Sequence, residues 1–87
     1  MATVLLPQSL LALFPTAARQ VQVETATVQE TIDVLNERWP GLRNRLLDGG
    51  SAIRQHILVF VDGEKAELSS TVRPGSHVRI VPSITGG

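Results

Sequence analysis

The chain has 87 residues, which supports one compact domain and leaves little room for a deep, enclosed active site. Eight basic and eight acidic residues give a net charge of zero, and the arginines are scattered, which argues against binding nucleic acid by phosphate neutralisation. The absence of cysteine excludes disulfides, thiol nucleophiles and thiolate-bound metals, and it fits a cytoplasmic location. No segment approaches the ~20 apolar residues that span a bilayer.

The first part of the chain predicts two strands and no signal peptide. Thr3–Leu6 is a short apolar run that Pro7 stops, and residues 19–24 alternate polar and apolar side chains as a half-buried strand does. Residues 7–18 are predicted to be a long connection, so that the two strands form a hairpin with an extended loop. The apolar N-terminal runs lack a preceding basic region, as a secretory signal would require.

A capping-box pattern marks the start of a predicted helix. In the segment 27–30 the Thr27 hydroxyl can accept from the Glu30 amide, while the Glu30 carboxylate reaches back to the Thr27 amide. Residues spaced by four, three and four then form one apolar face: Val28, Ile32, Leu35 and Trp39. Pro40-Gly41 ends the helix. Leu42, Leu46 and Leu47 predict a short helical turn that closes in the loop 48–51.

The second half of the chain predicts strands separated by turns. The continuous apolar run of residues 56–61 predicts a central, well-buried strand, with Phe60, like Trp39, in the core. Asp62-Gly63 and Pro74-Gly75-Ser76 are turn sequences. Glu67-Leu68 is predicted to be a short edge strand, and residues 77–81 the last strand, ended by Pro82.

This order of elements predicts an α+β fold. Two strands, a helix, a strand, a short strand and a final strand give a mixed sheet of four to five strands packed on one main helix. That is the ubiquitin-like β-grasp arrangement. Residues 1–82 are predicted to form this domain, and residues 83–87 a flexible C-terminal diglycine tail.

Nothing in the sequence predicts a catalytic or metal site. His56 and His77 are separated along the chain, and without cysteine they do not supply the three or four donors of a metal centre. Neither a nucleophile elbow nor a glycine-rich phosphate loop is present. We therefore expect a protein that is not an enzyme and binds no cofactor or metal.

The C-terminal sequence Ser83-Ile84-Thr85-Gly86-Gly87 offers chemistry of another kind. Four extended residues reach about 13 Å, and glycines can thread a narrow channel. Adenylation by ATP would turn the Gly87 carboxylate into an acyl-adenylate, from which a sulfur donor displaces AMP to leave a thiocarboxylate. The alternative is that the two glycines are frayed terminal residues or a cloning scar. The internal pair Gly49-Gly50 has no free carboxylate and predicts only a loop.

Three stretches together resemble a known family: residues 38–47, 59–64 and 73–87. The chain resembles the MoaD/ThiS superfamily of sulfur-carrier proteins over essentially its whole length. One departure is Gly75-Ser76, where the family often has Gly-Asp. The resemblance implies that Gly87 is adenylated by a ubiquitin-activating-type enzyme, which uses ATP, and is then thiocarboxylated. Ile84, Thr85 and Gly86 would thread the partner's channel. A sulfur donor and a sulfur-accepting biosynthetic enzyme are the other implied partners, with no nucleic acid and no membrane.

The resemblance leaves several functions open. The Pro-Gly-Leu-Arg segment favours a cysteine-pathway or general MoaD-like carrier, and the small subunit of molybdopterin synthase is an alternative. A ubiquitin-like protein modifier would use the same activated carboxylate, and a pure interaction module would have an inert tail.

A docking face is also predicted. If Val78 and Ile80 face the helix, then His77, Arg79 and Val81 face outward and are candidates for partner contact. The alternative is an ordinary solvated sheet face.

Overall fold

The computed structural model describes residues 1–49 and 52–82. Its strands and helices are, in chain order, β1 (Ala2–Leu5), α1 (Gln8–Leu13), β2 (Gln20–Val23), α2 (Val28–Arg38), α3 (Leu42–Leu46), β3 (Leu47–Asp48), β4 (Ala52–Ile53), β5 (Ile57–Val61), β6 (Glu64–Lys65) and β7 (His77–Pro82). Strands β2-β1-β7-β5-β6 form one sheet, in that order, and β3-β4 form a second, small hairpin.

The sheet is mixed, because β1 and β7 run parallel while the other neighbours are antiparallel. The predicted hairpin of the first two strands is confirmed, since β1 pairs with β2. The connection between them is not the irregular loop that was predicted, because it contains α1. The Pro7 carbonyl accepts from the amides of Leu10 and Leu11, and Leu10 is buried. Six residues are too few to show a helical period, so the sequence pattern missed this turn and a half of helix.

The main helix α2 begins at Val28, as predicted. The Glu30 amide donates to the Thr27 hydroxyl at 3.1 Å. The return bond differs from the prediction, because the Glu30 carboxylate accepts from the amide of Ala26 at 2.9 Å and not from that of Thr27. Both bonds still satisfy amides at the start of the helix, which would otherwise lack partners.

The segment after α2 turns the chain tightly. Gly41 has a φ of 100°, which only glycine adopts readily, and the Asn36 side-chain oxygen accepts from the amides of Gly41 and Arg43. The predicted helical turn is α3, with Leu42 and Leu46 fully buried. The predicted loop after it is partly wrong, because Leu47–Asp48 pair with Ala52–Ile53. Gly50 and Ser51 lie outside the described residues.

The strand β5 is not central, contrary to the prediction. It lies between β7 and the short edge strand β6, and the centre of the sheet is β7. The edge strand is Glu64–Lys65 and not Glu67-Leu68. Asp62 and Gly63 both have positive φ, at 51° and 88°, as the type I′ hairpin turn between β5 and β6 requires.

The core lies between one face of the sheet and the helices. Fully buried side chains come from both layers, namely Val4, Val23, Val59, Val78 and Ile80 of the sheet and Val28, Ile32, Leu35, Leu42 and Leu46 of the helices. Trp39 is half-buried and packs against this core. The predicted α+β arrangement, a mixed five-stranded sheet on one main helix, is confirmed.

Candidate functional site

The predicted reactive residues follow directly after the central strand. Gly87, and the residues predicted to thread a partner's channel, Ile84, Thr85 and Gly86, lie outside the described residues. The structure does describe the strand that leads to them. β7 ends at Pro82, which pairs with Ile57 at the start of β5. On its other side β7 pairs with β1 from His77 to Arg79. The ladder with β5 extends to Pro82, so strand pairing holds the last residue of β7.

The two faces of β7 differ sharply in burial. Val78 and Ile80 are each 1% exposed and face the helices. His77 and Arg79 are exposed and Val81 is half-buried, and these three residues point to the opposite side of the sheet. They lie at different distances from the tail, because a strand rises about 3.3 Å per residue. Val81 adjoins the end of β7, whereas His77 is at its far end.

Neighbouring strands extend this face with apolar side chains. The strand register places Phe60 and Leu5 opposite Arg79, and Leu58 opposite Val81. Leu5, Leu58 and Phe60 are half-buried and do not belong to the core cluster. We call the six residues Leu5, Leu58, Phe60, His77, Arg79 and Val81 the outer sheet face. The prediction that Phe60 lies in the core is therefore wrong.

The charge on the outer sheet face is positive at Arg79. Within residues 1–49 and 52–82 the one ion pair joins Arg43 to Asp33 at 3.4 Å, so Arg79 has no carboxylate partner there. In the register of the sheet, Arg79 lies between Leu5 and Phe60. An arginine flanked by a leucine and a phenylalanine has the composition typical of interface cores, where aromatic residues and arginine are enriched.

A hydrogen-bonded turn holds the start of β7. Asp62 accepts from the His77 amide and from the Ser76 hydroxyl, both at 2.9 Å, and its own amide donates to the His77 carbonyl. The bond from the His77 amide, reinforced by that from Ser76, lowers the pKa of the Asp62 carboxyl from its usual value. Ser76 is buried, and its hydroxyl also accepts from the Arg73 amide. A serine thus connects the two turns at the position where the family often has aspartate.

Comparison with known proteins places this architecture in a family. The model of the ThiS family matches residues 4–87, which includes the two terminal glycines. This chain belongs to the ThiS family. Small archaeal modifier protein 1 of Haloferax volcanii is 30% identical over 73 residues, covering 80% of this chain and 84% of that protein.

Solved structures of similar proteins confirm the β-grasp fold. CysO in the crystal structure of the Amycolatopsis orientalis BexX/CysO complex superposes with a TM-score of 0.88 at 28% identity, with both chains fully covered. Mycobacterium tuberculosis CysO gives a TM-score of 0.86 at 22% identity, over 97% of this chain and all of that one. SAMP1 from Haloferax volcanii gives 0.81 at 27% identity, over 99% of this chain and 98% of that one. This ThiS-family chain thus resembles small carrier and modifier proteins.

The sequence prediction for the site missed Leu5, Leu58 and Phe60. A usable pattern was present in β5, whose five residues are all apolar. A single layer of helices can cover only one face of a sheet, so an all-apolar strand must present apolar side chains on the uncovered face. A long apolar strand in a small ThiS-family domain therefore predicts an apolar surface as well as a core.

Other types of site are not formed by the described part of the chain. No group of three or more histidine, aspartate or glutamate residues within it is placed to hold a metal ion. Nor does it contain a helix long and apolar enough to cross a membrane.

Proposed function

We propose that this chain is a sulfur carrier whose Gly87 carboxylate is adenylated and then converted to a thiocarboxylate. The observation that carries the proposal is the family match, which runs through β7 to the terminal Gly86-Gly87. Supporting it, the strand before the tail is the central strand of the sheet. The chain would act as a protein cosubstrate and not as an enzyme.

The proposed reaction at Gly87 has two steps. The Gly87 carboxylate attacks the α-phosphate of ATP, giving an acyl-adenylate and releasing pyrophosphate. Sulfur at the oxidation level of hydrosulfide then attacks the acyl carbon. A C–S bond forms, the C–O bond to the AMP phosphate breaks, and AMP leaves, so that a thiocarboxylate remains without a change of oxidation state. Both steps take place in a ubiquitin-activating-type partner, which binds the ATP. We place them in the cytoplasm, where that partner finds ATP.

The outer sheet face is the surface we propose for docking such partners. It adjoins the tail at Val81, and it combines the exposed Arg79 with half-buried Leu5, Leu58 and Phe60. A partner that covers this face and admits the tail would bury the apolar side chains and hold Gly87 at its active site. The similar CysO protein of Amycolatopsis orientalis was crystallised in complex with BexX, which supports docking of a partner by such a fold.

The recipient of the sulfur is proposed from the same likeness. The 28% identity to a CysO protein, along the full length of both chains, favours a biosynthetic pathway to cysteine or another sulfur-containing metabolite. The accepting enzyme would receive the thiocarboxylate tail as the activating enzyme receives the carboxylate.

The adenylation step can be tested by exchange of labelled pyrophosphate into ATP. With the host's adenylating enzyme, the wild-type chain should support exchange, because formation of the acyl-adenylate is reversible. A variant lacking Gly87 should support none, while keeping the urea midpoint of the wild-type, since loss of a single terminal residue is expected to cost little stability. Exchange that persists without Gly87 would contradict the proposal.

A second function, protein modification, is favoured by one observation. The relative at 30% identity is named a small archaeal modifier protein. A modifier would pass the activated Gly87 carboxyl to a lysine amine, forming an isopeptide bond and releasing AMP. Covalent adducts on lysines of other proteins, absent when Gly87 is deleted, would establish this role. A thiocarboxylate that forms without any adduct would favour the carrier.

A further inference from the structure

A groove lined by basic and apolar residues lies at one end of the sheet. Its walls come from three places: Leu13 and Phe14 at the end of α1, Asn44 and Arg45 in α3, and Arg54 and His56 just before β5. We call these six residues the basic groove. It is separate from the outer sheet face, with which it shares no residue.

The strand register places this groove beside the start of the tail. Pro82, the last residue of β7, pairs with Ile57, so His56 lies next to the end of β7. β1 runs parallel to β7, with Leu5 opposite Arg79, so the chain also enters α1 at this end of the sheet. Two independent pairings therefore bring the walls of the groove to the point where β7 ends.

The groove is positively charged, and no acidic residue among its described lining residues balances that charge. Arg45 and His56 are exposed, and the Arg54 Nε–H donates to the Asn44 carbonyl at 3.0 Å, which holds that guanidinium against α3. None of the described residues that line it is a carboxylate. Leu13 lies beside these cations and is 49% exposed. Among the large apolar residues that the structure describes, Met1 is the other exposed one. The groove thus matches a ligand with one anionic end and one apolar side chain.

The tail of this same chain has that composition. It consists of Ser-Ile-Thr-Gly-Gly, with Ile84 as its one large apolar side chain and the carboxylate of Gly87 as its one charge. Five extended residues reach about 16 Å from Pro82, which is enough to span a groove that begins at the next position. A segment joined to its site by so short a connection has an effective concentration in the millimolar range, so weak contacts suffice to populate the docked form.

We propose that the basic groove is a docking site for residues 83–87 of the same chain. In the docked form the Gly87 carboxylate pairs with Arg45 and Arg54, and Ile84 covers Leu13. A carboxylate held in this way is not available to a partner until the tail leaves the groove. This inference does not depend on the proposed function, because it concerns the unmodified protein without ATP, sulfur donor or enzyme.

The test compares two forms of the full chain that differ only in the charge at Gly87. One ends in the natural carboxylate and the other in a C-terminal amide, made by cleaving an intein fusion with ammonia. Two-dimensional 1H–15N and methyl NMR spectra of both are recorded at low salt and at 1 M sodium chloride. If the tail docks, the chemical shifts of the carboxylate and amide forms should differ at the amides of Asn44, Arg45 and His56 and at the Leu13 methyl groups. These differences should shrink at 1 M salt, where the Debye length is ~3 Å.

A matched pair of variants separates docking from a general charge effect. Arg45→Gln should remove at least half of the shift difference at His56, because it removes one of the two guanidinium partners. Arg73→Gln neutralises an exposed arginine in the turn before β7, at the other end of that strand, and should leave the difference intact. Well-dispersed spectra of both variants show that they are folded.

Three results would overturn the proposal. Differences confined to the tail residues would show that it does not reach the groove. Equal effects of Arg45→Gln and Arg73→Gln would assign the shifts to long-range charge. Differences that vanish on dilution would assign the groove to the tail of a second copy.

Discussion

Phe60 of β5 lies directly opposite Arg79 of β7, on the face of the sheet that the helices do not cover. This pair sits at the centre of the outer sheet face, flanked by Leu5 on one side and by Leu58 and Val81 toward the tail. An aromatic ring and a guanidinium, both available at the surface, are the side chains that most often dominate binding energy at protein interfaces.

Replacing either residue of this pair should weaken partner binding without unfolding the domain. We expect Phe60→Ala and Arg79→Ala each to lower the affinity for the adenylating enzyme about tenfold or more, as loss of a central contact does. Isothermal titration calorimetry measures the affinity. Glu37→Ala is the control, because Glu37 is exposed on α2, which packs on the opposite face of the sheet. Similar affinities for all three variants would place the docking surface elsewhere.

Two adjacent residues of β7 should differ in their contribution to stability. Ile80 is 1% exposed, whereas Val81 is half-buried on the outer sheet face. Ile80→Ala should lower the free energy of unfolding by about 2–5 kcal/mol, because it removes buried methyl groups and leaves a cavity. Val81→Ala should lower it by less than ~1 kcal/mol. Urea denaturation measures both values, and equal losses would contradict the assigned orientation of the strand.

The cap of α2 gives a third prediction. Thr27→Ala removes the hydroxyl that accepts from the Glu30 amide and should cost about 1 kcal/mol of unfolding free energy. Gln29→Ala, at an exposed position in the first turn of the helix, should cost little, because alanine is the better helix former. Urea midpoints compare the two variants. If Thr27→Ala leaves the urea midpoint unchanged, water replaces the capping hydroxyl without loss of stability.

Asp62 should make the domain sensitive to acid. Hydrogen bonds from the His77 amide and the Ser76 hydroxyl lower the pKa of Asp62 in the folded protein. A depressed folded pKa means that the carboxylate stabilises the fold above the unfolded pKa of about 3.9. That stabilisation is lost as the pH falls through the folded value.

Thermal unfolding from pH 6 down to pH 2 tests this contribution. Asp62→Asn should be less stable than the wild-type near neutral pH, and the gap should narrow as the pH falls. Glu64→Gln, which neutralises an exposed carboxylate in neighbouring β6, is the control and should keep the acid sensitivity of the wild-type. If the stability difference between Asp62→Asn and the wild-type is the same at every pH, the charge of Asp62 does not contribute to stability.

The parts of the fold that the sequence predicted correctly are those in which local chemistry dictates the structure. Thr27 and Glu30 define the start of α2, and Asp62-Gly63 can adopt the two positive φ angles of a tight hairpin. The alternation of residues 20–23 predicted which side chains of β2 are buried. In each case a few neighbouring residues determine the outcome.

The wrong predictions concern features that tertiary structure determines. The six residues of α1 gain their stability from packing, through the buried Leu10, and not from a long periodic pattern. The position of β5 in the sheet depends on β7, which follows it in the chain and takes the central place. The apolar pattern around Phe60 predicts a core residue, but one layer of helices covers only one face of the sheet, and Phe60 lies on the other.

The parts of the candidate site differ in how far the sequence alone reveals them. The tail chemistry of Gly86-Gly87, which stays a prediction, could be proposed from the sequence because a terminal carboxylate needs no fold to define it. The basic groove could not, because Leu13, Arg45 and His56 are far apart in the chain and meet only when α1, α3 and the start of β5 are assembled.

The central claim is the thiocarboxylate at Gly87, and intact mass spectrometry tests it most directly. The full chain is incubated with the host's adenylating enzyme, ATP and a sulfur source, beside a variant that lacks Gly87. We predict that the wild-type chain gains the mass difference between sulfur and oxygen, that fragmentation maps the gain to Gly87, and that the variant gains none. An unchanged mass of the wild-type chain, with an enzyme shown to form the acyl-adenylate, would contradict sulfur carriage.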